Sequence, residues 1–109
     1  MTPGNMADSD NKGEVILKDD DFADLEQRYM MHIIMMIHRY PGCLKSDIAD
    51  LTDSAHNTKY SRVQYLVEKG YAIYMNVNGN PTRKLQLTEK GKRVAECVET
   101  MYDILKDYE

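Results

Sequence analysis

A chain of 109 residues, 42% of them hydrophobic, suits one small domain that can hold a core without staples, though with little margin. Its two cysteines, Cys43 and Cys97, stand far apart with no partner at metal or redox spacing; they read as small buried apolar residues of a reducing compartment, and a single disulfide, though open, has no support in the pattern. The net charge of −4 argues against a polyanionic partner until it is divided: residues 1–43 carry four Lys or Arg against eight Asp or Glu, residues 44–95 nine against five, and residues 96–109 one against five.

The middle of the chain is thus cationic between two acidic ends, and phosphates respond to such a local field more than to the sum. Residues 1–20, rich in Asp, Asn, Gly and Lys with only Val15-Ile16-Leu17 apolar, read as a flexible acidic tail. A single domain is expected over residues 21–109. Its first helix should run from Asp21 to Tyr40, where Phe22, Leu25, Tyr29, Ile33, Met36, Ile37 and Tyr40 recur at helical spacing and Pro41-Gly42 ends the pattern. The second half of that helix is apolar nearly all round, which asks for burial on more than one side. Its apolar stretch, Tyr29 to Ile37, is broken by His32 and too short to cross a bilayer, and no charged start with an apolar run precedes it. A cytoplasmic location and no membrane partner are expected.

Residues 44–51 form a short amphipathic helix through Leu44, Ile48, Ala49 and Leu51. The polar turn Thr52-Asp53-Ser54 follows, with Ser54 placed to cap a helix over 54–69. Residues set at 100° intervals put Tyr60, Val63, Leu66 and Val67 on the inner face of that second helix, with His56 beside them. Asn57, Thr58, Ser61, Arg62 and Tyr65 fan over the outer face, with Gln64 on its flank, and Lys59 sits off to one side. Short hydrogen-bonding side chains of this kind read base edges: Asn pairs with adenine, Arg with guanine, and Ser or Thr with either bases or phosphates. Lys59 is assigned to phosphate. His32, His38 and His56 read as structural, since no Cys, His or carboxylate set surrounds them at ligand spacing; no metal or cofactor is expected.

Residues 71–87 read as a hairpin around Asn78-Gly79-Asn80-Pro81. A two-residue Asn78-Gly79 loop in regular register would oppose Ile73 to Lys84 and mix the faces, whereas an odd loop centred on Gly79 opposes Ile73 to Leu85 and Tyr71 to Leu87. The odd loop is therefore expected, with Tyr74, Asn76, Thr82, Lys84 and Gln86 outward. Asn78, Asn80, Thr82, Arg83 and Lys84 then lie toward the tip, where Arg83 and Lys84 could enter a minor groove or grip backbone phosphate. Thr88 caps a last helix over 88–107, with Glu89 at its positive end. Val94, Val98, Met101, Leu105 and Tyr108 make a seam spaced four, three, four, three. That seam and the surplus apolar face of the first helix, through Tyr29, Ile33 and Met36, are expected to pack about a twofold axis in a homodimer.

The expected fold is mainly α with one small β-hairpin, a winged helix-turn-helix flanked by long N- and C-terminal helices that form a dimerisation region. Leu66-Val67-Glu68-Lys69-Gly70-Tyr71 after the second helix, and Leu87-Thr88-Glu89-Lys90-Gly91-Lys92 after the hairpin, resemble the winged-helix transcription regulators of the multiple-antibiotic-resistance-regulator (MarR) type and related small archaeal and bacterial proteins. The resemblance covers residues 44–93 closely and the flanking helices in layout. It implies a homodimer on a pseudo-palindromic operator, usually a repressor, with a recognition helix in each major groove and a wing alongside. The wing here is shorter and has one Arg-Lys pair, and Lys45-Ser46 replaces the usual Ser or Thr cap. One C-terminal helix stands where larger members have two, and any small-molecule effector is left unnamed.

No phosphate-cradling glycine loop, no Cys and His at nucleophile spacing and no carboxylate pair in apolar surroundings point to catalysis, so the reading is not an enzyme. The alternative is a winged-helix module that binds protein without DNA, since this fold also serves as a scaffold.

Overall fold

The computed structural model describes residues 16–50 and 56–108. Its elements in chain order are α1 (Ala23–Glu26), α2 (Met30–Arg39), α3 (Lys45–Asp50), α4 (His56–Glu68), β1 (Ala72–Val77), β2 (Asn80–Leu87) and α5 (Glu89–Asp107). The reading of residues 1–15 as a tail, the Thr52-Asp53-Ser54 turn with its cap, and the His56 side chain lie outside the described residues.

The core is one cluster. Met30, Ile33, Ile34 and Ile37 of α2 meet Ile48 of α3, Val63 and Leu66 of α4, Ala72, Leu85 and Leu87 of the hairpin, and Ala95 of α5. The α2 residues stand at i, i+3, i+4 and i+7, one stripe of a helix. Met31 is exposed and Met35 and Met36 are half-buried, so within the single chain α2 fully buries one side.

The first helix is not continuous. Gln27 is extended, with ψ 141°, and Tyr29 is left-handed, with φ 72°. A left-handed non-glycine residue costs about 1–2 kcal/mol, so other contacts must hold the break, and they come from α4 and the segment after it. The Arg62 Nε donates to the Arg28 carbonyl at 3.1 Å, and the Lys59 Nζ lies 4.8 Å above the Tyr29 ring. The Tyr65 and Tyr71 hydroxyls donate to the two oxygens of Asp24 at 2.5 and 2.6 Å. Apolar spacing runs straight through this segment; the polar contacts that interrupt it are distant in sequence.

The α4 helix ends at Gly70, φ +85°, with the Gly70 N–H on the Val67 carbonyl and the Tyr71 N–H on the Leu66 carbonyl. These are the paired bonds of a Schellman cap, in which the residue after the left-handed glycine packs back on the helix. Tyr71 and Leu66 are accordingly both buried. Thr88 then fastens α5 beneath this corner: its Oγ1 accepts from Gly91 N–H at 3.1 Å and donates to the Gly70 carbonyl at 2.6 Å. Gly91 is buried, and a Cβ there would stand 2.0 Å from the Tyr71 carbonyl oxygen. The two glycine-bearing stretches singled out in sequence are the two sides of one joint.

The hairpin departs from the expected register. Ala72 faces Leu87, Ile73 faces Gln86 and Tyr74 faces Leu85, but near the tip Asn76 faces Pro81 and Val77 faces Asn80. The loop is the two-residue Asn78-Gly79, both with positive φ (53° and 81°), as a type I′ turn requires. A bulge in β2 reconciles that loop with a clean apolar face. Thr82 stitches it: its Oγ1 donates to the Met75 carbonyl at 2.8 Å and accepts from Lys84 N–H at 3.1 Å. Ile73 consequently points outward, 45% exposed, while Tyr74 packs against the core, the reverse of the expected faces. The hairpin base is also tied to the loop after α2, where Gly42 N–H donates to the Leu85 carbonyl at 2.7 Å and Leu85 N–H to the Cys43 carbonyl at 2.8 Å.

The first half of α5 buries Gly91, Ala95 and Val98. An ion pair joins it to α2, Arg39 to Glu99 at 2.6 Å, with the Arg39 guanidinium 5.4 Å from the Tyr102 ring centre. Beyond that point Met101, Tyr102, Ile104, Leu105 and Tyr108 are exposed. Ile33 and Val98, expected at a dimer interface, belong to the chain's own core; Tyr29, Met36 and Val94 pack partly against it. Cys97 is exposed, not buried as expected, and Cys43 is half-buried; both are free thiols. No helix of the described residues is long and apolar enough to cross a membrane.

Candidate nucleic-acid interface

The α4 helix presents a different face from the one expected. Lys59, Val63 and Leu66 are fully buried, while Asn57, Tyr60, Ser61, Gln64 and Glu68 are exposed. These two sets are each spaced for a single helical stripe; Val63 and Leu66 are inside as expected, and Lys59 in place of Tyr60 turns the buried stripe by roughly half of a residue's 100° step. Asn57 and Ser61 keep their outward place, and Thr58 is half-buried. Tyr60, expected inside, is 39% exposed.

Three of the expected DNA contacts face the other way. Lys59, assigned to phosphate, is buried above Tyr29. Arg62 is half-buried, its Nε on the Arg28 carbonyl. Tyr65 gives its hydroxyl to Asp24. Long amphipathic side chains bury their stems and still satisfy their polar ends, which a two-class helical wheel cannot represent. Gln64, kept only as a flank in sequence, stands in the exposed stripe, where its Nε2 lies 3.3 Å from Glu68 Oε2.

The Asp24 corner has its own electrostatics. Hydrogen bonds from Tyr65 and then Tyr71 hold the Asp24 carboxyl below its ordinary value, with Lys69 and Lys90 adding to the effect against partial burial. The bond to Asp24 raises Tyr65 in turn. Burial, and then Asp24, push Tyr71 up to about 12. Lys90 Nζ lies 4.2 Å from the Tyr71 ring centre and Lys69 Nζ 5.6 Å from that of Tyr65. Five of the nine cations that made the middle segment positive therefore serve other places: Lys59, Lys69 and Lys90 at tyrosine rings, Arg62 at the Arg28 carbonyl, and Arg93 beside Glu89 at 3.6 Å.

Next to the exposed stripe of α4 is a cleft of about 400 Å³, with Lys45 and Ser46 at the start of α3, Tyr60 of α4, Tyr74 of β1, and Thr82 and Arg83 of β2 on its walls. Arg83 is exposed and Lys45 half-buried. Asn78, Asn80 and Lys84 are exposed on the hairpin, whereas the Thr82 hydroxyl is committed to the bulge. Lys45, Ser46 and Tyr60 were missed as site residues because their convergence with Arg83 depends on the bulge and on the rotation of α4.

A second cavity, about 700 Å³, lies on the α2 side of α3, with Met36, Arg39, Cys43 and Asp47 among its walls. There burial, and then Asp47, raise the Cys43 thiol. His32, beside this cavity, is pushed below the usual imidazole value by desolvation and then by Lys59. Among the described residues no group of three or more His, Cys, Asp or Glu could hold a metal ion.

No family model matches the sequence, and no characterised relative matches it. Solved structures do match its fold. The transcriptional regulator SlyA aligns with a TM-score of 0.66 at 21% identity over 81% of this chain and 63% of its own. Streptococcus pneumoniae FabT, solved in complex with DNA, gives 0.60 at 18% identity over 82% of this chain and 67% of its own. SSV1 F-93 gives 0.57 at 20% identity over 73% of this chain and 91% of its own. This chain thus spans less than two thirds of SlyA. Helices α3 and α4, the two-stranded antiparallel wing and the flanking helices, together with these likenesses, establish that the chain has the winged helix-turn-helix fold.

Proposed function

We propose that the chain is a sequence-specific double-stranded DNA-binding transcriptional regulator, acting as a homodimer and as a repressor, with α4 in the major groove and the hairpin wing beside it. The observation that carries this reading is the exposed stripe Asn57, Tyr60, Ser61 and Gln64 directly beside a cleft walled by Lys45 and Arg83. Asn and Gln amides can pair with adenine, and hydroxyls can meet either bases or phosphates. The fold shared with SlyA, a transcriptional regulator, and with FabT, solved with DNA, supports it. Base contact falls to Asn57, Tyr60, Ser61 and Gln64; Lys59, Arg62 and Tyr65 instead position the helix through the break before α2.

The dimer would form on the outer half of α5, where Met101, Leu105 and Tyr108 stand at i, i+4 and i+7 and are 44%, 68% and 87% exposed. Stripes of this kind are rarely left bare on a soluble monomer. Selection of bound sequences from random duplex tests the whole reading: a twofold-symmetric site with half-sites about one helical turn apart is expected. Affinity should fall steeply with salt. Failure to enrich any sequence and absence of duplex binding at low salt would leave the fold as a protein-binding module.

A further inference from the structure

The exposed stripe of α4 offers hydrogen-bonding groups but no cation, from Asn57 to Glu68. Duplex affinity nonetheless depends on neutralised phosphates, which also fix the orientation of the reading helix. The fold supplies charge beside the stripe at one place, the cleft into which Lys45 and Arg83 converge from distant parts of the chain. Among the described residues no carboxylate is on its walls. On α3, the Asp47 Oδ2 accepts from Leu44 N–H at 2.9 Å, and Asp47 lines the cavity on the other side of that helix.

Arg83 reaches this position because of the β2 bulge, whose Thr82 is held by Met75 and Lys84 on either strand. The Thr82 hydroxyl proton is already given to Met75, so it is not a donor to a ligand. Ser46 and Tyr60, each carrying a hydroxyl, line the same space. Tyr60 also belongs to the exposed stripe, so an anion in the cleft sits at a fixed distance from the residues that would meet bases.

We propose that this cleft is a phosphate seat that takes one backbone phosphodiester of duplex DNA, gripped by Lys45 and Arg83 and oriented by the Ser46 and Tyr60 hydroxyls. The seat rests on the DNA-binding reading and deepens it: Arg83 anchors the strand beside α4 and does not enter a minor groove. A shared phosphate makes a specific demand. Lys45→Ala and Arg83→Ala should each weaken binding to all duplexes alike, and together they should reduce the slope of log affinity against log salt by about 0.9 for each half-site occupied. The double variant should lose less than the product of the two single losses, because both cations act on one group.

The deciding experiment places a neutral methylphosphonate at each backbone position of a bound duplex in turn. One position in each half-site should weaken the wild-type chain and erase its advantage over both variants. Independent losses in the double variant, with no single position that cancels both, would overturn the seat while leaving DNA binding intact. Unaltered affinity in both single variants would do the same. Should the wild-type chain bind no duplex, the DNA reading falls, and the seat is then tested with inorganic phosphate on the full chain. Amide shifts at Ser46, Tyr60 and Arg83 that vanish in the double variant would sustain it as a site for free phosphate, and their absence would overturn it. Both substituted side chains lie at the surface, and unchanged thermal melts of the variants verify that the fold persists.

Discussion

Gly91 stands where the backbone of Tyr71 passes so close that a methyl group would fall 2.0 Å from its carbonyl oxygen. The Gly91→Ala variant must push α5 off the corner that Thr88 and Gly70 build, and overpacking of this kind costs roughly 1–3 kcal/mol. A lowered thermal midpoint with retained helical circular dichroism is expected. Asp24 makes a second prediction, with a sign. Its folded pKa lies below the ordinary 3.8, so the stability it contributes is complete above that value and disappears as the pH falls through the lower, folded one. Asp24→Asn should therefore destabilise the chain near neutral pH, by about 1–2 kcal/mol for two charge-assisted hydrogen bonds at a half-buried site. Denaturant titrations should show the gap between variant and wild type closing below about pH 4. At the alkaline end Tyr71 works the opposite way: its contribution is whole below its ordinary 10 and lost as the pH rises toward about 12. At this scale the sequence was legible where a residue has one use. Thr88 as a cap, Gly70 as a helix stop and Asn57 and Ser61 as exposed polar groups could all be read. Lys59, Arg62 and Tyr65 could not, because each has an apolar stem and a polar end, and only the break near Tyr29 decides where both go.

Among the elements, the first helix and the hairpin show how long-range contacts override local pattern. Spacing asks for one helix from Asp21 to Tyr40, yet Asp24 turns to Tyr65 and Tyr71, and Arg62 occupies the carbonyl that opens at Arg28. Arg62→Ala should free that carbonyl and lower stability. Its effect on duplex affinity should appear equally at specific and unrelated sites, since the side chain positions α4 and does not read bases; a loss of discrimination at one base pair would contradict this. In the hairpin, neither regular register satisfied both the Asn78-Gly79 turn and the apolar face, and the bulge satisfies both. Thr82→Val keeps the shape of the side chain but removes its two hydrogen bonds, a loss of roughly 1–2 kcal/mol. Amide shifts confined to residues 75–77 and 81–84, with a weakened hairpin, are expected in its spectrum.

For the whole molecule, the question is what covers the outer half of α5. Leu105→Asp places a charge in the middle of the stripe of Met101, Leu105 and Tyr108, which is exposed in the single chain. The substitution should leave the fold unaltered and shift sedimentation from dimer to monomer, with affinity for a symmetric duplex falling toward that for a half-site. A wild-type chain that sediments as a monomer at all concentrations would remove the dimer from the proposed function. By itself the sequence determined the order of the main elements, the Thr88 cap and the separation of charge along the chain, because these follow from spacing, caps and composition. Tertiary structure alone decided the rotation of α4, the break before α2, the bulge of β2 and the meeting of Lys45 with Arg83. The physical reason is the same in each case: these features are fixed by hydrogen bonds and burial between segments far apart in the chain, whose partners no local period records.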